Sequence, residues 1–156
     1  MLPKRRGMSE WIYDAYIPGT VVPQGSMSFY NGRAVHKPSL VKWRKHVNQH
    51  IQQWTGTYFG AWEPISQPVE VRADFFLAKA KANKDEYPVD SRKPDVDKAL
   101  RGILDALSLE SFGPGRLLAD DRFVVQVRTS KQYAHGIPEG EDGHEPGVRI
   151  RIRKVE

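Results

Sequence analysis

Cysteine is absent from this chain of 156 residues. Its absence excludes disulfides, iron–sulfur clusters, thiol nucleophiles and zinc sites built on cysteine, and it is compatible with a reducing cytosol. No apolar run approaches the roughly 20 residues that a membrane span needs, so we expect no membrane partner. The basic start lacks the apolar stretch of a signal peptide, and we interpret residues 1–10 as a flexible tail.

Basic residues outnumber acidic ones, 24 Lys and Arg against 19 Asp and Glu, which gives a net charge of +5. A modest basic excess favours an anionic partner without specifying it. The length is that of one domain with a core of its own, and we assign residues 11–156 to it.

Hydrophobic periodicity predicts two helices, where apolar residues recur in steps of three and four, and four strands, where they alternate with polar ones. A hairpin or irregular loop is expected at 23–38, a polar loop at 79–92 and an acidic mobile loop at 135–147. The order β, α, β, α, β, β predicts an α+β fold, a small mixed sheet with helices on one face. The predicted elements are strand 11–17, helix 39–54 with Ser39 as N-cap, strand 69–77, helix 96–107, strand 123–133 and an edge-like strand 148–155.

Two pairs of acids stand out. Asp95 and Asp97 flank Val96 at the start of the second helix, and in an extended lead-in alternate side chains point the same way. Helix capping explains one Asp there but not two. Asp120 and Asp121 open the next strand, and a strand start beside that helix would add a third carboxylate. Converging carboxylates are ligands for hard ions such as Mg²⁺ or Mn²⁺.

Cations accompany the first acidic pair. Arg101 follows Asp97 by four residues, so the two share a helix face. They form either an ion pair or a site where Arg101 holds a scissile phosphate. Asp105 lies two turns after Asp97 and is interpreted as structural or peripheral. An acidic metal site on a basic chain suggests hydrolysis of a nucleic-acid phosphodiester, and the predicted contacts to that backbone are Arg92, Lys93 and Lys98.

Other patterns are weaker. His46 and His50 are one helical turn apart, as zinc ligands often are, but no third ligand is evident, and surface or DNA-facing histidines are favoured. Phe29 and Tyr30 either anchor a loop or stack on an unpaired base. Two sets remain: the aromatics Trp43, Trp54, Phe75 and Phe76 are assigned to the core, and Arg149, Arg151 and Arg153 form either a solvated edge or a stripe that binds a phosphate backbone.

The run Lys93-Pro94-Asp95-Val96-Asp97, its helix to residue 107, and residues 118–131 with their acidic pair resemble the RusA family of Holliday junction resolvases. Residues 18–26 are similar to the N-terminal strand and loop of that family, and the helix with Trp43 fits the segment that follows. The resemblance covers residues 13–154.

This resemblance implies a homodimeric endonuclease, dependent on Mg²⁺ or Mn²⁺ and on no organic cofactor, that resolves four-way DNA junctions by paired nicks in recombination and repair. It implies a phage or prophage origin and the cytoplasm of a bacterial host. The essential acids of the family correspond to Asp95, Asp97 and Asp121, with Asp120 adjacent. Arg101 stands where the family usually has Lys, and Lys98 where it often has Asn. The first loop has Gln24, Met27 and Ser28 where basic residues are common.

Two other functions stay open. One is a DNA-binding module without catalysis, in which the acids only cap helices and turns; its binding would not depend on a divalent ion. The other is a metal-dependent nuclease for flaps or replication forks. A cleavage assay that compares branched and linear DNA separates them from a junction resolvase.

Overall fold

A computed structural model describes residues 10–25, 28–30, 32–35, 37–57, 62–108, 116–135 and 145–155. The predicted tail at 1–10 falls almost entirely outside these ranges, and the acidic loop falls outside them at 136–144. The described residues form six strands, two α-helices and a short 3₁₀ helix at Asp121–Phe123. The elements are β1 Tyr13–Pro18, β2 Ser28–Tyr30, β3 Arg33–Val35, α1 Pro38–Gly56, β4 Val69–Leu77, α2 Val96–Ser108, β5 Val124–Tyr133 and β6 Gly147–Lys154.

The main sheet has four strands in the order β1-β6-β4-β5, and it is mixed. β4 and β5 are parallel, whereas β6 is antiparallel to both β1 and β4. Parallel neighbours need a crossover, and α2 supplies it. The buried residues of β4, which include Val71 and Phe75, share one hydrophobic core with Val47 of α1 and Ile103 of α2. The predicted α+β fold with a small mixed sheet is confirmed.

Helix α1 begins one residue earlier than predicted. Pro38 is in its first turn and Lys37 is the N-cap, so the assignment of Ser39 as N-cap is wrong. Proline is favoured at this point because the first N–H groups of a helix lack intrahelical partners. Of the helices in the described part of the chain, none is long and apolar enough to cross a membrane.

The prediction of an edge strand at 148–155 is also wrong, because β6 lies between β1 and β4. Its three arginines face carboxylates on those neighbours, so their charges are matched within the sheet. Neither a solvated edge nor an unmatched basic stripe describes them. The pairs are Arg149 with Asp14 at 2.9 Å, Arg151 with Asp74 at 3.2 Å, and Arg153 with Glu70.

The segment predicted as an irregular hairpin contains the antiparallel pair β2–β3. Phe29 and Tyr30 lie in β2, but their side chains are outside the described residues. Among the four aromatics assigned to the core, Trp43, Phe75 and Phe76 are buried and Trp54 packs against the core.

Candidate functional site

The first acidic pair lies at the start of α2. Asp97 is in the first turn, and the main-chain carbonyl of Asp95 accepts a hydrogen bond from Ala99 N at 3.0 Å. Both side chains are exposed. Lys98 Nζ lies 3.4 Å from Asp95 Oδ2, so this predicted DNA contact pairs with one of the acids.

Asp97 and Arg101 do not form the ion pair that was one of the two predicted alternatives. Neither side chain has an ionic partner among the described residues, and both are exposed. Helix spacing alone would permit the pair, since residues four apart are neighbours. An unpaired cation beside an unpaired carboxylate leaves both groups available to a ligand.

Two lysines hold the chain that leads into α2. Lys93 Nζ donates to the carbonyl of Ala78 at 2.7 Å, and Lys131 Nζ donates to the carbonyl of Pro94 at 3.2 Å. The first bond joins the two ends of the connection between β4 and α2, since Ala78 directly follows β4 and Lys93 lies shortly before α2. Lys93 is therefore engaged within the protein. The predicted contact Arg92 has a side chain that is 86% exposed, and its ionic partner among the described residues is Asp90 at 3.6 Å.

The two acids of the second pair have different surroundings. Asp120 is the N-cap of the 3₁₀ helix and accepts a hydrogen bond from Arg122 N at 2.9 Å, which is the main reason that its pKa is lowered. The pKa of Asp121 is raised, first by partial desolvation and then by hydrogen bonding with Asp120 and by the negative charges of Asp120 and Asp105. Asp120 and Asp105 thus bring negative charge to Asp121, while Arg122 and Arg116 act on Asp120 with positive charge.

Asp105, which was interpreted as structural or peripheral, adds negative charge at Asp121 and also has contacts within the protein. Gln24 Nε2 donates to Asp105 Oδ2 at 2.7 Å, and Arg44 lies 4.0 Å from the same oxygen. Gln24 is itself buried, and its main-chain N–H bonds to the carbonyl of Lys98 at 2.9 Å. The helix spacing of Asp105 from Asp97 was a visible signal, but the contact with Gln24, 81 positions away, was not.

The two acidic groups lie at opposite ends of α2. The helix starts near the end of β5, where Lys131 bonds to Pro94, and it ends near Leu117 and Leu118, whose N–H groups bond to Leu107 O at 3.1 Å. Asp121 comes soon after that second point. Asp97 and Asp105 are eight residues apart, which is about 12 Å along a helix axis. The strand start that bears Asp121 is therefore beside the last turns of α2, away from its N-terminus.

The described residues contain no group of three or more acids or histidines that could hold a metal ion. The three predicted ligands Asp95, Asp97 and Asp121 are accordingly not brought together within one copy of this part of the chain. Their chemistry nevertheless fits a hard ion, because they are exposed carboxylates, and the negative charge around Asp121 is what a bound cation would relieve. Carboxylates of the kind that bind a hard ion therefore lie at both ends of α2.

The two histidines of α1 have local partners. His46 Nε2 is 2.5 Å from the carbonyl oxygen of Pro18, and its ring makes an edge contact with His50 at 4.7 Å. Burial and then the neighbouring His46 lower the pKa of His50. No third ligand accompanies them among the described acids and histidines, so the zinc interpretation gains no support.

The chain thus combines an α+β fold whose mixed sheet has a helical crossover with exposed carboxylates and an exposed arginine on that helix. Comparison with protein families gives a match to the model described as "Endodeoxyribonuclease RusA" over residues 18–153. The chain therefore belongs to the RusA family of endodeoxyribonucleases. A search of the curated proteins finds no match.

Proposed function

We propose that this protein is a metal-dependent, structure-specific endodeoxyribonuclease that resolves Holliday junctions by paired nicks, as a homodimer, in DNA recombination and repair. Family membership supports a nuclease. The observation that carries the finer proposal is the position of the acids, two exposed at the start of α2 and a third in an electronegative group at its other end.

The proposed roles follow from the side chains. Asp95, Asp97 and Asp121 would hold Mg²⁺ or Mn²⁺, with Asp120 adjacent. Such an ion, when bound, supplies a hydroxide at neutral pH and polarises a phosphate oxygen. Arg101, exposed and without an ionic partner in the described structure, stabilises the charge that develops on the phosphate. Arg92 and Lys98 contribute phosphate contacts that carry little sequence information.

A second copy of the chain would complete the ligand set. β5 bonds to β4 along one side and is the outermost strand of the four-stranded sheet, and residues in its first half are exposed, with Val125 at 55% and Val127 at 40%. An open edge with exposed valines is a template for pairing. A two-fold axis would pair two copies of β5 antiparallel, so that the start of one strand meets the end of the other.

This pairing has a consequence for the acids. The start of β5 follows Asp121, and its end carries Lys131, which bonds to Pro94 next to Asp95. An antiparallel β5 pair would move the partner subunit's Asp121 toward the Asp95–Asp97 pair. Two such composite sites related by symmetry suit a junction, which presents two equivalent strands to be cut.

Val127→Lys tests this interface. We expect it to convert a dimer of about twice the 17.8 kDa chain mass into a monomer, because a lysine on an edge strand opposes pairing. Light scattering measures the mass, and thermal unfolding establishes that the variant is folded. Val41→Lys is the matched control, since Val41 is a valine of α1 with 46% exposure. A dimer that persists in Val127→Lys would contradict the β5 interface.

Arg101→Ala should slow cleavage by about two to three orders of magnitude, the effect typical of removing one stabilising donor from an active site. Its thermal stability should stay near that of the wild type, because the side chain is exposed and has no ionic partner among the described residues. Arg101→Lys should keep part of the rate. Single-turnover assays measure the cleavage rates of the wild type, Arg101→Ala and Arg101→Lys. Normal specific activity of Arg101→Ala would show that Arg101 is not part of the active site.

The overall proposal is tested by incubating the protein with a mobile four-way junction, a replication fork and a linear duplex, each with and without Mg²⁺. We expect symmetrical nicks in the junction that require the ion. Faster cleavage of forks would identify a fork nuclease, and binding without cleavage in any condition would identify a non-catalytic module.

A further inference from the structure

The connection between β4 and α2 is long and irregular, but it is held in place. Asn83 donates from its N–H to Ala80 O at 3.0 Å and from Nδ2 to Tyr133 Oη at 2.8 Å, and its side-chain oxygen accepts from Asp85 N at 2.8 Å. The bond from Lys93 to Ala78 closes the same segment. Connections of this length in a compact domain usually serve a function.

Tyr87 is displayed at the surface of this connection. Its side chain is 58% exposed, whereas the next residue, Pro88, is buried and fixes the backbone there. Val89 N bonds back to the carbonyl of Tyr87 at 2.9 Å. Tyr13 and Tyr133 are by contrast buried, so Tyr87 is not a core residue and presents its ring to solvent.

The charges of this connection are divided along its sequence. Lys79, Lys81 and Lys84 are exposed and have no carboxylate partner among the described residues. Asp85 and Glu86 directly precede Tyr87 and are also exposed. A phosphate is therefore favoured at the lysines and disfavoured beside the ring. A base, which is uncharged and has an aromatic face, is the part of a nucleic acid that fits next to Tyr87.

We propose that Tyr87 stacks on an unpaired base at the branch point of the DNA substrate, while the lysines of the same connection contact the adjacent backbone. The inference rests on the proposed function, and it names the residue that distinguishes branched from linear DNA. In an intact duplex each base already stacks on its neighbours, so the ring finds a partner only where pairing is interrupted. The same connection leads from Tyr87 to Asp95, so the residue proposed to stack on a base and the first acid of the candidate site belong to one segment.

The experiment compares Tyr87→Ala and Tyr87→Phe with Val89→Ala, a control in the same connection whose side chain is 69% exposed but has no aromatic face. Fluorescence anisotropy measures binding to a four-way junction, a linear duplex and a single-stranded oligothymidine, with Ca²⁺ in place of Mg²⁺. A junction that carries 2-aminopurine next to the branch point reports stacking directly. Circular dichroism establishes that each variant is folded.

We expect Tyr87→Ala to weaken binding to the junction and to oligothymidine by about tenfold, with duplex binding nearly unchanged, because one base–aromatic stack is lost. Tyr87→Phe and Val89→Ala should resemble the wild type. Equal losses in Tyr87→Ala and Val89→Ala, or a loss on duplex as large as on the junction, would overturn the proposal, as would no loss at all. If the wild-type protein cuts no branched DNA but Tyr87→Ala still loses oligothymidine binding, the proposed function fails and the stacking role stands.

Discussion

Asp97→Asn is expected to lower the cleavage rate by two to three orders of magnitude or more, which is about the loss seen when one electrostatic element of an active site is removed. Asp95→Asn and Asp121→Asn should do the same. The amide keeps the shape of the side chain but loses the charge that a divalent ion requires. Each protein should still bind a four-way junction, because loss of a carboxylate beside a phosphate removes repulsion.

The control for these variants is Glu63→Gln, which makes the same change of charge at an exposed position outside both acidic groups. It should cleave at the wild-type rate. Rates come from single-turnover assays in Mg²⁺, and binding from gel shifts in Ca²⁺. Full activity of Asp97→Asn would refute the metal site, and loss of junction binding would instead assign the acids a structural role.

Mixing two inactive variants should restore cleavage. If each site is composed of residues from both subunits, a heterodimer of Asp97→Asn with Asp121→Asn would distribute its two substitutions unequally between the two sites. One site would contain both substitutions, and the other would contain the intact acids of both subunits. One site should therefore act, and the junction should receive a single nick. If each site were built from one subunit, both sites would carry one substitution and the mixture would stay inactive.

Co-expression with two different affinity tags isolates the heterodimer. The control is a heterodimer of two differently tagged Asp97→Asn chains, in which no arrangement yields an intact site. A strand-specific end label reports whether one or both strands are cut. This experiment tests the composite site independently of the proposed metal-dependent cleavage. An inactive heterodimer together with an active wild type would reject the composite site but not the metal-dependent activity.

Local sequence was sufficient for most secondary structure. The strand predicted at 69–77 coincides with β4, and the helix predicted at 96–107 matches α2 to within one residue. Both depend on a regular pattern of apolar side chains, which the chain carries in itself. The acidic pair was likewise visible in the sequence, but the extended lead-in predicted for it is wrong, because α2 begins at Val96 and Asp97 lies in its first turn.

The position of β6 needed the tertiary structure. An alternation of valine and isoleucine with arginine is compatible with an edge or with a central strand. The carboxylates that match Arg149 and Arg151 come from β1 and β4, far away in sequence. Strand order depends on how the whole chain packs, and no local pattern encodes it.

The sequence by itself determined the helices, most strands, the two acidic pairs and the family resemblance, because each is carried by neighbouring residues. Only the tertiary structure decided that Arg101 is left unpaired by Asp97 and that the charge of Asp105 helps to raise the pKa of Asp121. It alone placed the two acidic pairs at opposite ends of α2. The physical reason is the direction of the crossover: a helix between parallel strands returns antiparallel to them, so its start and the start of the next strand lie far apart.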